Sequence, residues 1–215
     1  MVLAVEASIL ALALGGWREL FARPNAVALL AVWGVAGMTL ALLRPVRGQD
    51  VAHAERDPLV MVALLLLPYL IPFIAAAGST VAFATLPAPI GHVVAWLGVT
   101  FAALGLTLRI AAMWQLGARF SPLVALQREH RLETVGLYSV VRHPGYSGSL
   151  LTSLGSALAF GSWSALPLWL LMVVAQLTRV RREEALLSRH FGDAWNDYTR
   201  RTGALLPRLG AAPVP

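Results

Sequence analysis

The sequence predicts an all-α, polytopic integral membrane helical bundle of five to six transmembrane helices. The last two form a tight hairpin, and a polar, basic region lies at the C-terminal end. Three observations carry that prediction. The 215 residues are 58% hydrophobic and only 13% charged, whereas soluble domains run near 45–50% apolar and about 25% charged. The apolar residues gather into runs approaching the roughly 20 that a helix needs to cross a bilayer. The basic residues gather between and after those runs.

The first apolar run, 2–16, is short and interrupted by Glu6. It has no basic segment in front of it, so it reads as a marginal sixth helix rather than a cleaved signal peptide. The clearest spans are 24–43, 59–78 and 90–114. In the last of these Gly91, Gly98 and Gly105 recur along one helical stripe, the pattern of close helix packing in membranes. The final apolar stretch, 147–178, would be about 48 Å long as one straight helix, against a hydrocarbon core of about 30 Å. It breaks at Gly161-Ser162-Trp163, with a further disruption expected at Pro167. A hairpin follows, with both ends on one side. The domain reading is therefore N-terminal helices over 1–114 and a functional region over 115–215 that contains the hairpin.

Loop charges set the orientation. The 44–58 loop carries Arg44, Arg47 and Arg56, while the 79–89 loop and the hairpin tip carry no charge. Arginines crowd 109–142 and 179–208, so by the positive-inside tendency these two segments and the C-terminus are cytoplasmic. The net charge of +6 then reads as orientation and anionic-lipid contact, not as a nucleic-acid surface. Every basic residue is arginine and there is no lysine or cysteine. The first suggests GC-rich coding and a bacterial inner membrane. The second excludes disulfides, thiolate metal sites and a thiol nucleophile.

From about Gln115 the chain becomes polar, basic and aromatic, without a Gly-rich nucleotide loop. In Arg142-His143-Pro144-Gly145-Tyr146, the residue before proline is driven out of helical angles and the proline suits a helix's first turn. Such a turn, beside a fixed guanidinium, suits a carboxylate or phosphate. A capped membrane helix with interfacial anchors explains the same residues. Arg179 and Glu183 stand one helical turn apart, either as an ion pair or as ligand groups. Arg preceding Glu is the less favourable order for a simple pair, and adjacent carboxylates at the end of a span need partners. His53 and His92 have no metal-ligand neighbours at useful spacing and read as surface or interfacial residues. His190, Phe191, Trp195 and Tyr198 read as an amphipathic stretch lying on the membrane and covering the pocket.

These residues taken in order resemble the isoprenylcysteine carboxyl methyltransferase family, related to the phospholipid methyltransferases. The resemblance runs over about 115–209. It comprises Gln127, His130-x-Leu132, Gly136-x-Tyr138, Arg142-His-Pro-Gly-Tyr-Ser-Gly148, the hairpin, Arg179-x-x-x-Glu-Glu184, Phe191-Gly192, Tyr198 and Leu206-Pro207. It implies a cytoplasmic C-terminal region that binds S-adenosylmethionine, and a lipidic or prenylated carboxylate substrate that enters from the bilayer. Carried over by position, the cofactor contacts are Gln127, His130, Arg131, Leu132, Glu133, Tyr138, His143, Pro144, Gly145, Tyr146 and Glu183. Arg179 takes the substrate-holding, catalytic position. Glu133 and Leu137 fall at variable positions, and Trp195 stands where tyrosine is common.

The implied reaction is in-line displacement at a sulfonium methyl. A carboxylate nucleophile is already ionised, so alignment and water exclusion suffice. The rival is a phospholipid N-methyltransferase, whose amine needs a general base. A sterol-reductase-like enzyme using NADPH and a non-catalytic membrane scaffold of the same fold are more distant alternatives.

Overall fold

The computed structural model describes residues 2–43, 51–55, 57–117, 124–127 and 132–208. Its helices are α1 (Val2–Leu14), α2 (Trp17–Phe21), α3 (Pro24–Leu43), α4 (Pro58–Gly78), α5 (Ala88–Leu116), α6 (Pro144–Leu158), α7 (Leu166–Phe191) and α8 (Asp193–Arg201). Proline occupies one of the first two positions of α4, α5, α6 and α7. There its missing N–H costs nothing and its fixed φ favours the helix. Pro167 thus opens α7 rather than disrupting a span.

Three of these helices, α3, α4 and α5, are long and apolar enough to cross a membrane by length and composition. Among the described residues these are the three that meet both criteria, and α1 is a shorter apolar helix. The hairpin arms are unequal. α6 has 15 residues, about 22 Å, whereas α7 has 26, about 39 Å. α7 runs unbroken past Thr178 and carries Arg179 and Glu183 on the continuation of its membrane arm.

The hairpin tip is stitched to the α4–α5 connection. Gly161 has φ +62, a left-handed value that glycine adopts without strain. Its carbonyl accepts from Leu86 N–H at 2.9 Å, and Trp163 N–H donates to the Ala84 carbonyl at 3.2 Å. Ser162 Oγ donates to the same carbonyl at 2.9 Å. Nearby, Arg23 donates to Ser79 Oγ at 2.7 Å, and Asn25 to the Ala159 carbonyl at 2.5 Å. Backbone polar groups that leave regular structure here are therefore satisfied inside the protein, as a membrane demands.

The glycine stripe does what its spacing predicts. A methyl added at Gly98 would meet Gly155 O at 2.7 Å, one at Gly148 would meet Gly105 O at 2.5 Å, and one at Gly161 would meet Gly91 O at 2.9 Å. Gly98 and Gly105 of α5 thus interlock with Gly155 and Gly148 of α6, running antiparallel, and Gly91 meets Gly161 at the hairpin tip. Lipid tails are as apolar as leucine, so this pair is held by close packing rather than by exclusion of water.

Two elements depart from expectation. The fold is predominantly helical but not all-α: Val51–Glu55 (β1) and Val124–Gln127 (β2) pair as an antiparallel ribbon, with His53 opposite Leu126 and Glu55 opposite Val124. Strands of five and four residues are too short for a readable alternation, and their pairing spans some seventy intervening residues. The amphipathic stretch is also re-aimed. Trp195 and Tyr198 are buried at 4% and 6% exposure, so α8 turns its aromatic face into the protein rather than onto a bilayer. Gly192, with φ +54 at the end of α7, provides the sharp turn that folds α8 back.

Candidate active site

The site forms where the start of α6, the polar half of α7 and the segment after α8 converge. Residues 140–143 run beside 203–204: Arg142 N–H donates to Gly203 O at 2.8 Å and His143 N–H to Ala204 O at 3.0 Å. His143 is non-helical, with φ −125 and ψ 58, as expected before proline. Its carbonyl accepts the N–H groups of Tyr146 and Ser147, both at 3.0 Å. Two of the donors expected at this helix start, those of Tyr146 and Ser147, are therefore bonded within the turn itself.

The two acidic residues of α7 have separate duties. Glu184 Oε1 accepts from Arg142 Nε at 2.8 Å and lies 3.2 Å from His143 Nε2. Burial pushes the Glu184 carboxyl up, but the hydrogen bonds and charges of His143 and Arg142 outweigh it and hold it below its ordinary value. Arg142 also donates to Thr202 O at 2.5 Å and lies over the Trp195 ring at 5.9 Å. The guanidinium expected beside the α6 start is thus committed to tying α7, α8 and the following segment together.

Glu183 belongs to a different cluster, centred on Tyr146. The Tyr146 hydroxyl donates to Glu183 Oε2 at 2.7 Å and accepts from Arg179 Nε at 2.8 Å. The Arg179 guanidinium lies 5.4 Å from the Tyr146 ring centroid, and the His143 ring stacks on the same tyrosine at 5.5 Å. Arg179 and Glu183 are not a direct pair: the tyrosine hydroxyl stands between them.

A residue that the sequence argument counted as a loop charge joins them. Arg109 lies inside α5, seven positions before its end. It donates to Gly145 O at 3.3 Å and sits within electrostatic reach of both Tyr146 and Arg179. The signal was present, since an arginine within an apolar span is expensive and marks a functional position by default. Arg109 also lines a cavity of about 730 Å³ between α1, α3, α4, α5, α6 and α7. Its walls are mostly apolar, with the hydroxyls of Ser149, Thr152, Ser153 and Ser156 along α6. Pockets of this size with a few convergent polar groups suit small amphiphilic ligands.

Of the residues singled out by sequence, His143, Pro144, Gly145, Tyr146, Arg179 and Glu183 come together here. Tyr138 lies beneath them, buried, its hydroxyl donating to Ala112 O at 3.3 Å and its carbonyl accepting from Tyr198 at 2.6 Å. Burial pushes the Tyr198 hydroxyl up, with Glu133 and Glu184 adding to that shift and Arg142 opposing it. That places Glu133 within reach of α8. Leu132 precedes it at the start of the described segment. Gln127 ends β2, which lies alongside α7. His130 and Arg131 lie outside the described residues.

With this geometry in place, comparison with known proteins is informative. The family model for phospholipid methyltransferases matches residues 93–194. The chain is 36% identical over 112 residues to the protein-S-isoprenylcysteine O-methyltransferase of Schizosaccharomyces pombe, covering 51% of this chain and 48% of that protein. It is 34% identical over 121 residues to protein-S-isoprenylcysteine O-methyltransferase B of Arabidopsis thaliana, covering 51% and 57%. The resemblance to the isoprenylcysteine methyltransferases stands. The solved structure of a eukaryotic intramembrane Ras methyltransferase, an isoprenylcysteine carboxyl methyltransferase, superposes with a TM-score of 0.58 at 22% identity. That alignment covers 95% of this chain and 75% of the other. The isoprenylcysteine methyltransferase fold therefore extends through the N-terminal helices, where sequence alone shows only apolar spans. The chain spans about half the length of these curated relatives.

Proposed function

We propose that this integral membrane protein is an S-adenosylmethionine-dependent carboxyl O-methyltransferase acting on a lipidic or prenylcysteine carboxylate. The observation that carries the reading is the placement of two arginines on adjoining residues next to the apolar cavity, Arg109, which lines it, on the Gly145 carbonyl and Arg179 on the Tyr146 hydroxyl. Two guanidinium groups within reach of each other repel, and an anion placed between them relieves that repulsion. An acceptor with a carboxylate head and an apolar tail matches both the cations and the cavity.

The residues fit the cofactor as well. Glu183 offers an acidic group for an ammonium or ribose, and the His143–Tyr146 stack offers an aromatic wall. The start of α6 at Pro144 and Gly145 adds a surface without bulky side chains. Gln127, His130, Arg131, Leu132, Glu133 and Tyr138 complete the set on the resemblance. When bound, S-adenosylmethionine supplies an electrophilic sulfonium methyl. Arg179 and Arg109 hold and orient the acceptor carboxylate, through the planar donor fork that suits it. Tyr146 fixes Arg179 and Glu183 relative to one another, and the apolar walls exclude water from the nucleophile. Glu183 accepts from Tyr146 and serves binding rather than proton transfer. The C-terminal half faces the cytoplasm on the arginine distribution. The bacterial assignment rests on composition alone, since the relatives named above are eukaryotic.

The phospholipid N-methyltransferase alternative asks the same site to hold an ammonium, which two neighbouring arginines disfavour. A labelled-methyl assay with a farnesylated cysteine and phosphatidylethanolamine side by side tests the choice. Ester methyl groups are released as methanol by base, whereas N-methyl groups are retained. Label in phosphatidylethanolamine alone would overturn the carboxylate reading. Absence of any S-adenosylmethionine-dependent stabilisation would return the protein to the scaffold alternative.

A further inference from the structure

α1 carries one charged residue, Glu6, in an otherwise apolar helix. Glu6 lines the same cavity as Arg109, together with residues of α3 and α6. It is half-buried, with Leu10 on the next turn of the same face buried at 1% exposure. The same cavity is lined by Gly34 and Gly37 of α3, and a methyl added at Gly37 would meet nothing within 4 Å. Glu6 therefore borders a cavity that has open space at its α3 wall. Among the described residues it makes no hydrogen bond or ion pair. A carboxyl in a membrane-embedded wall is costly unless something satisfies it. A wall built only for hydrocarbon would have no use for this residue.

We infer that Glu6 is a specificity residue for the body of the acceptor: it binds an O–H or N–H donor carried along the lipid tail, while Arg109 and Arg179 bind the head. The natural acceptor on this view is an amphiphile with an anionic head and a polar group within its chain, not an all-hydrocarbon prenyl tail. The inference rests on the lipid-carboxylate reading above. Its physical basis is asymmetric. A site with a buried polar group rejects the analogue that lacks the matching partner more strongly than a hydrophobic wall rejects an added hydroxyl.

The test compares S-farnesylcysteine with analogues hydroxylated at the first, second or third isoprene unit. Binding is read by Trp33 fluorescence, since Trp33 lines the cavity, with Trp33→Phe as the control for the other tryptophans. Methyl transfer is read separately on the same set. One hydroxylated analogue should bind roughly tenfold more tightly than the parent. Glu6→Leu should abolish or invert that preference, while the isosteric Glu6→Gln retains part of it and controls for folding. Equal ranking of all analogues by wild type, or an unchanged ranking in Glu6→Leu, overturns the inference. Preference in binding without methyl transfer sinks the methyltransferase reading and leaves this one standing. Transfer without a Glu6-dependent preference does the reverse.

Discussion

Removal of a single oxygen atom from Tyr146 is the sharpest test of the candidate site. The hydroxyl makes two hydrogen bonds to ionised groups, accepting from Arg179 at 2.8 Å and donating to Glu183 at 2.7 Å. Each such bond contributes about 1.5–3 kcal/mol. Tyr146→Phe removes both while keeping the ring that stacks on His143 and under Arg179. If only half of the lost energy appears as misalignment in the transition state, about 1.5–3 kcal/mol is withdrawn. At about 1.4 kcal/mol per tenfold, kcat/KM falls roughly 10- to 150-fold. The assay is base-released methanol from a labelled methyl donor at several acceptor concentrations. Melting temperature in detergent is followed in parallel. The expected pattern is a large loss in kcat/KM with a small loss of stability. A loss under threefold would show that Arg179 and Glu183 do not depend on the tyrosine for their placement, and the reasoning would fail.

Arg179→Ala should abolish turnover while leaving S-adenosylmethionine binding largely intact by calorimetry; parallel loss of both would move Arg179 into the cofactor site. Gly155→Val should force α5 and α6 apart, since even a methyl there meets Gly98 O at 2.5 Å, and lower stability by about 1–3 kcal/mol or more in a detergent melt. Trp195→Ala should release α8, costing about 3–5 kcal/mol locally, seen as faster hydrogen exchange over Asp193–Arg201 with α5 unchanged. The Glu184 carboxyl, held below its ordinary 4.5 in the fold, contributes stability that is complete above the unfolded value and is lost as pH falls through the folded one. Melting temperature should therefore hold from neutrality to about pH 5 and drop in more acidic buffer, and Glu184→Gln should flatten that acid limb.

Much of this was readable from the chain, for definite reasons. The hairpin declared itself because one helix of its length cannot fit a bilayer. The α5 glycines declared themselves by a seven-residue recurrence, and His143-Pro144 by proline's local sterics. These signals are local or periodic. What stayed hidden is non-local. The one-turn spacing from Arg179 singles out Glu183 but not its partner: Glu183 meets Tyr146, while Glu184 meets Arg142 and His143. Trp195 and Tyr198 have the spacing of an amphipathic face, but only the turn at Gly192 decides that the face points inward. Arg109 was absorbed into a loop count because it stands near the end of its span, and only the approach of α6 shows its role.

The interlocked glycines divide the molecule into a fixed part and a revisable part. Arg109 sits on α5 and Tyr146 on α6, so backbone contact along those two helices sets the spacing within the candidate site. Side chains on that seam have almost no freedom to change. The opposite walls, from α1, α3 and α4, meet the cavity across open volume and glycine, and can be rewritten without moving the chemistry. Matched residues begin at 93 in the family comparison, with the preceding helices keeping their course while losing recognisable sequence. A division of labour of that kind lets the ligand that the cavity accepts change through substitutions in the front half alone, with the α5–α6 seam left in place.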